Sequence, residues 1–254
     1  MEEKTKLELV GDLRVRSYGA GGPLTVVLHG GPAATGNATP IAQELADTFR
    51  VLEPFQRGSG GDPLSVSTHI ADLHDIIVAR AGGERPALVG ESWGAMLALA
   101  YAAAHPETIG PIALIGCGTF DVVARAKLAA TLEARLARGE SLYDFAPLET
   151  ITQSIDDSLD KAAHLQTWED MIRLQHEGVY PAAFAVITSP VLMLHGSYDP
   201  HPGKMIRDSL MPHLSELEYR EFDKCGHSPW IERFARDNFF VTLRTWLSKF
   251  GQTE

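Results

Sequence analysis

A serine hydroxyl is a poor nucleophile at neutral pH because it is not ionised, and it reacts only beside a base that a carboxylate orients. In this 254-residue chain three residues meet that need in the order serine, acid, histidine: Ser92, Asp199 and His227. Ser92 sits in Gly90-Glu91-Ser92-Trp93-Gly94, between the apolar run Ala87-Leu88-Val89 and an alanine- and leucine-rich segment. That pattern reads as a strand turning sharply into a helix, with the serine hydroxyl lifted clear at the apex. Glycines on either side suit the turn, because strand and helix pass too close there for a Cβ. Asp199 follows a short apolar run within His195-Gly196-Ser197-Tyr198-Asp199-Pro200, a turn that can aim a carboxylate across a sheet edge. His227, in Cys225-Gly226-His227-Ser228-Pro229, occupies the loop before the last helix, which can carry an imidazole over the serine. Asp223 and Asp121 are fallback acids.

Such a triad needs preorganised donors for the oxyanion of a tetrahedral intermediate, each worth about 3 kcal/mol. The Trp93 N–H, opening the helix after the nucleophile, supplies one. The glycine-rich turn His29-Gly30-Gly31-Pro32 supplies the second through Gly31, since Pro32 has no N–H. Glu91 is expected to point away from the nucleophile and to serve behind the substrate site as a hydrogen-bond partner. His29 and His195 read as packing or turn residues, and Arg57 as a brace for its turn. His195, Asp199 and His201 form no convincing metal shell around Pro200, so neither metal nor cofactor is expected.

Placing these groups requires a sheet. Leu7–Val10 and Leu13–Tyr18, split by Gly11-Asp12, form an antiparallel hairpin. Further strands are expected at Leu24–Leu28, Arg50–Pro54, Pro86–Val89, Pro111–Ile115, Val191–Leu194 and Leu217–Phe222. Helices are expected between them: Pro40–Phe49 behind a Thr39 cap, a helix capped by Ser67 or Thr68 and running to Ala81, the post-Ser92 helix to Ala104, Lys204–His213, and a final helix over Pro229–Phe250. Strand–helix alternation after a hairpin implies a mostly parallel sheet covered on both faces. From about Asp121 to Ala185 the period changes to helical segments, at Val122–Arg138, Leu148–His164 and Thr167–Glu177. A block of about 65 residues is too long for a loop and reads as a lid over the carboxyl edge. Trp168, Met171, Ile172 and Leu174 form an apolar stripe within it.

Composition narrows the function classes. A formal net charge of -11 argues against nucleic acid. No apolar run approaches a bilayer span, and the first residues lack a signal-peptide h-region, so a cytoplasmic location without membrane attachment is expected. Cys117 and Cys225 read as free thiols. A homodimer is one assembly that the sequence leaves open.

Together, His29-Gly30-Gly31-Pro32, Gln56-Arg57-Gly58-Ser59-Gly60, Gly90-Glu91-Ser92-Trp93-Gly94, the Asp199 turn and Cys225-Gly226-His227-Ser228 resemble the α/β-hydrolase superfamily, and within it the branch containing proline iminopeptidases. The resemblance covers nearly the whole chain outside the lid. It implies an α/β-hydrolase fold: a mostly parallel eight-stranded sheet with helices on both faces, residues 1–118 and 187–254 forming the core and 119–186 an inserted helical lid. It also implies Ser92 as nucleophile, Asp199 as acid, His227 as base, and Gly31 and Trp93 as oxyanion donors. The chain departs from that branch at Ala33, where a further glycine is usual, and at Phe55, where an aspartate is. Trp168 and Glu169 stand where lid residues would meet a substrate, an acidic one to bind its amino group. The expected activity is hydrolysis of a small carboxylic ester or amide through an acyl-enzyme. The alternatives are an iminopeptidase-type aminopeptidase acting on a short peptide, or a non-hydrolytic lyase or ligand-binding receptor on the same fold.

Overall fold

The computed structural model describes residues 6–32, 38–58, 63–148 and 160–251. Gly11, with φ of 57°, closes β1 (Lys6–Val10) onto β2 (Leu13–Tyr18) as an antiparallel hairpin. β6 (Ile112–Ile115) is apolar at every position, and β3 (Leu24–Leu28), β5 (Ala87–Glu91) and β7 (Val191–Gly196) nearly so. Such strands are buried on both faces, as in a helix-covered parallel sheet. With β4 (Arg50–Pro54) and β8 (Leu217–Phe222) they complete an eight-stranded sheet in the order β1-β2-β4-β3-β5-β6-β7-β8. β2 pairs antiparallel with β4, and every later pair is parallel. The chain steps from β3 outward to β4 and returns on the other side of β3 to β5. That reversal opens a crevice at the carboxyl ends of β3 and β5.

The alternation of side chains feeds two cores. Val26, Leu28, Ile112, Leu114 and Met193 pack with α2 (Val66–Arg80) and α3 (Trp93–Ala104). Val27, Ala113, Ile115, Leu192 and Leu194 face the opposite layer, with α1 (Thr39–Leu45) and α7 (Arg236–Ser248). α3 is buried continuously from Trp93 to Ala102, as an all-round apolar helix must be.

All eight expected strands are present, while several helix boundaries differ. Thr39 is not a cap: Ala38 precedes α1 without a side-chain bond, and the Thr39 hydroxyl donates to the buried Glu53 carboxylate at 2.9 Å. Ser65, rather than Ser67 or Thr68, caps α2 by accepting the Thr68 N–H. The final helix begins at Arg236 and not Pro229, because residues 229–235 turn around Glu232. Its fully buried carboxylate accepts the N–H groups of Gly226, Phe145 and Ala146 at 2.6–2.7 Å.

Between β6 and β7 the chain forms α4 (Val122–Arg138), α5 (Lys161–His176) and a 3-10 turn (Ala182–Val186). α4 matches its expected span. It is capped by Asp121, which accepts the Ala124 N–H at 2.7 Å, and closed by left-handed Gly139. α5 runs unbroken across what reads in sequence as the end of one helix and the start of another; most of the expected Leu148–His164 helix lies outside the described residues. α6 (Gly203–Leu210) joins β7 to β8. Among the described residues no helix is long and apolar enough to cross a membrane.

Candidate active site

Ser92 occupies the junction of β5 and α3 with φ of 52° and ψ of −115°. A non-glycine residue held there stores roughly 1–3 kcal/mol of backbone strain. Packing enforces it. A Cβ on Gly90 would lie 2.2 Å from the Gly94 carbonyl oxygen, and one on Gly94 would lie 2.2 Å from that of Leu28. The Ser92 N–H donates to Ile115 at the end of β6, at 2.8 Å. The residue is half-buried.

Asp199 and His227 come together from the loops after β7 and β8. The backbones of those loops touch, since Tyr198 N–H donates to Cys225 and a Cβ on Gly196 would lie 2.1 Å from the Gly226 carbonyl oxygen. His227 Nδ1 is 2.8 Å from Asp199 Oδ2, and the His227 N–H donates to the Tyr143 carbonyl. Gly116, beyond β6, leaves the space the imidazole needs: a Cβ there would lie 2.9 Å from Nδ1. Burial works against a charged His227 ring, but the Asp199 charge and hydrogen bond override it, aided by Glu91 and Asp144, and the pKa is pushed up to about 9. Burial likewise favours neutral Asp199, yet His227, His195 and the hydrogen bonds from His201 and His227 hold that carboxyl well below the usual range. Among the described residues no hydrogen bond joins the Ser92 hydroxyl to His227, a contact that in ligand-free enzymes often tightens only with substrate bound. The fallback acids lie elsewhere: Asp121 caps α4 and Asp223 is exposed.

The two candidate oxyanion donors, Trp93 and Gly31, follow the ends of the adjacent parallel strands β5 and β3. Trp93 opens α3, where the first N–H groups have no partner within the helix. Gly31 follows β3 with φ of 88°, a conformation that favours glycine. Glu91 is buried and accepts the Gly30 N–H at 2.5 Å, so it holds the Gly30-Gly31 turn from behind. His29 is buried as expected. Burial holds its pKa down to about 4, and the neutral ring accepts the Gln56 N–H on Nε2 while Nδ1–H donates to the Gly30 carbonyl. Gln56 in turn accepts the Trp93 indole N–H at 2.8 Å.

α5 touches both Gly31 and Trp93. Its buried face carries Ala163, Thr167 and Met171. His164 bonds the Gly31 carbonyl through Nδ1, and Trp168 meets the Trp93 ring edge-on at 5.7 Å. Glu169 is on the outer, exposed side of the helix, away from the residues that Trp168 touches. Arg57 pairs with Asp72, the bracing role expected of it. Cys117 and Cys225 are free and buried, and burial pushes both thiols up.

Four contributors were not singled out for the site from the sequence. His201, in the Asp199 turn, bonds the Asp199 carboxylate and stacks on His227. Tyr143 holds the His227 backbone, Glu232 ties the His227 loop to residues 145 and 146, and His164 reaches the Gly31 turn. Only His201, two residues from Asp199, carried a local signal. Asp199, His201 and His227 bring one potential ligand atom each within 4.8 Å of one another, and the Asp199 carboxylate hydrogen-bonds both rings.

The profile of the alpha/beta hydrolase family matches residues 25–237, a span that contains every residue of this constellation. The chain belongs to the alpha/beta hydrolase family. It is similar to the 2-hydroxy-6-oxononadienedioate/2-hydroxy-6-oxononatrienedioate hydrolase of Cupriavidus pinatubonensis, at 26% identity over 240 residues and 82% of each chain. It is also similar to the proline iminopeptidase of Xylella fastidiosa, at 36% identity over 102 residues, covering 37% of this chain and 32% of that one. Among solved structures, a serine hydrolase involved in carbazole degradation superposes with a TM-score of 0.74 at 20% identity, over 97% of this chain and 99% of its own. At that identity the likeness is one of fold.

Proposed function

We propose that this alpha/beta hydrolase is a serine hydrolase that cleaves a small carboxylic ester or amide through an acyl-enzyme. The observation that carries the reading is the 2.8 Å contact of His227 Nδ1 with the buried Asp199 carboxylate, in a chain whose Ser92 stands at a strained elbow. Ser92 attacks the carbonyl carbon while His227 takes its proton. The Trp93 and Gly31 N–H groups receive the oxyanion, and His227 then returns the proton to the departing alcohol or amine. Water repeats the sequence and frees the acid. Residues 119–186 act as the lid and set specificity, with Trp168 as an apolar wall and Glu91 behind the oxyanion turn.

An aminopeptidase needs a carboxylate facing the substrate's ammonium group. Glu169, the candidate for that task, is exposed on the far side of α5, which favours the ester or amide reading. A second reading, hydrolysis of a hydroxy-oxo-dienedioate such as the name of the Cupriavidus relative specifies, is favoured by similarity over 82% of both chains. The Asp199–His227 pair behind Ser92 favours hydrolysis over a lyase or a ligand-binding receptor on the same fold.

The test is a panel of p-nitrophenyl esters of increasing acyl length set beside prolyl-naphthylamide, with Ser92→Ala as control. Turnover of short esters that Ser92→Ala abolishes is expected. Turnover of prolyl-naphthylamide alone would overturn the preference, and equal turnover by Ser92→Ala would overturn the mechanism.

A further inference from the structure

A catalytic triad asks its carboxylate to hold one imidazole, and here Asp199 is approached by three. Its Oδ2 lies 2.8 Å from His227 Nδ1. Its Oδ1 accepts the His201 backbone N–H at 2.9 Å and the His201 ring Nδ1 at 2.8 Å. His195 Nε2 stands 3.3 Å from Oδ2 and 2.9 Å from the His201 carbonyl oxygen. Ionised carboxylates and carbonyls only accept, so protons sit on Nδ1 of His201, Nδ1 of His227 and Nε2 of His195. The His201 ring also lies on that of His227, with centroids 4.7 Å apart and planes at 23°. Gly203 makes room for the group, since a Cβ there would lie 2.4 Å from His195 Cδ2. Proton transfer by a triad uses none of the His201 contacts.

We infer that His201 is a positioning residue for the triad: its ring N–H occupies Asp199 Oδ1 and its face supports the His227 ring, so that Asp199 orients the base without over-stabilising its protonated form. The inference rests on the serine hydrolase reading above. Burial, aided by the nearby His227 charge, holds the His201 pKa below its ordinary value despite the Asp199 bond, which keeps the ring a neutral donor near pH 7. The other groups facing the pair are Glu91 and Asp144 toward His227, and Cys117, Cys225, Tyr143 and Tyr219 toward Asp199. Burial pushes those thiols and phenols up, so they stay uncharged through neutral pH. A hydrogen bond to the charged form of a carboxylate lowers its basicity. Removing the His201 donor therefore concentrates the Asp199 charge on His227 and makes the proton harder to shed.

The variants are His201→Phe, which keeps a stacked ring without the N–H, and His201→Gln, which restores an amide donor without the ring. The readout is the rate at which a fluorophosphonate labels Ser92 in the intact protein, followed from about pH 6 to about pH 10. In His201→Phe the rise is expected to move up by about one pKa unit, with labelling near pH 7 slower by about tenfold. His201→Gln should recover most of the midpoint. Where Phe is not accommodated, His201→Leu serves the same purpose and should show the same upward shift. An unchanged midpoint in the donor-less variants, with wild-type labelling normal, would overturn this role for His201 alone. Absence of labelling in the wild type would overturn the serine hydrolase reading, and the inference with it.

Discussion

Replacing Asp199 by Asn leaves the shape of the site intact and removes the charge on which His227 depends. Asp199, with smaller help from Glu91 and Asp144, raises the His227 pKa from 6.5 to about 9 against burial that would lower it. At 1.36 kcal/mol per pKa unit that rise represents about 3 kcal/mol of imidazolium stabilisation, or roughly a 10²–10³-fold effect on a step that passes through the imidazolium. The amide can also present an N–H to Nδ1 and stabilise the wrong tautomer, which carries the expected loss toward about 10⁴. The assay is kcat/KM for the best p-nitrophenyl ester over a pH series, with circular dichroism and melting temperature to confirm the fold. Wild-type activity should climb with pH toward the His227 pKa, because only the neutral ring is a base. In Asp199→Asn the residual activity should be low and flat above about pH 6.5, since burial then holds the ring neutral. A folded variant within a few-fold of wild type, still climbing toward pH 9, would refute the assignment of Asp199 as orienting acid.

Three further outcomes follow from the same geometry. Because the folded-state pKa of His227 is raised, the stability it contributes is complete below about pH 6.5 and is lost as pH rises through about 9; the melting temperature should decline across that window, and His227→Gln should flatten the decline. Glu232→Gln weakens the carboxylate that accepts three backbone N–H groups, so urea unfolding should show a loss of about 2 kcal/mol together with reduced activity from a loosened His227 loop. Trp168→Ala removes the ring packed on Trp93; it should raise KM for bulky acyl esters by about tenfold while short acetates change little, as steady-state kinetics across the ester series will show.

The strands and the three candidate triad residues were legible in the sequence because each carries a local signature. Short apolar runs such as Ile112–Ile115, bounded by Gly and Pro, fit strands covered on both faces, and Gly90-Glu91-Ser92-Trp93-Gly94 states its own turn. The Ser–acid–His order then assigned Asp199 and His227, which the fold joins at 2.8 Å across 28 positions. What stayed hidden depends on contacts between distant segments. Thr39 looks like a cap, yet its hydroxyl serves Glu53 on the neighbouring strand. Pro229–Phe250 reads as one helix, yet Glu232 satisfies N–H groups from two other segments and delays the helix to Arg236. Trp168 and Glu169 look equivalent as adjacent residues, but one helical step of about 100° turns Trp168 to Trp93 and leaves Glu169 exposed. His201 came up in the sequence only as part of an unconvincing metal shell; its bond to the Asp199 carboxylate and its stacking on His227 appear only when the two loops meet.

The most direct test of the account is to treat the protein with a fluorophosphonate and locate the adduct by intact and peptide mass spectrometry. One adduct per chain on Ser92 is expected, absent in Ser92→Ala and formed far more slowly in His227→Ala. Ester turnover without any adduct on Ser92, or turnover undiminished in Ser92→Ala, would contradict it.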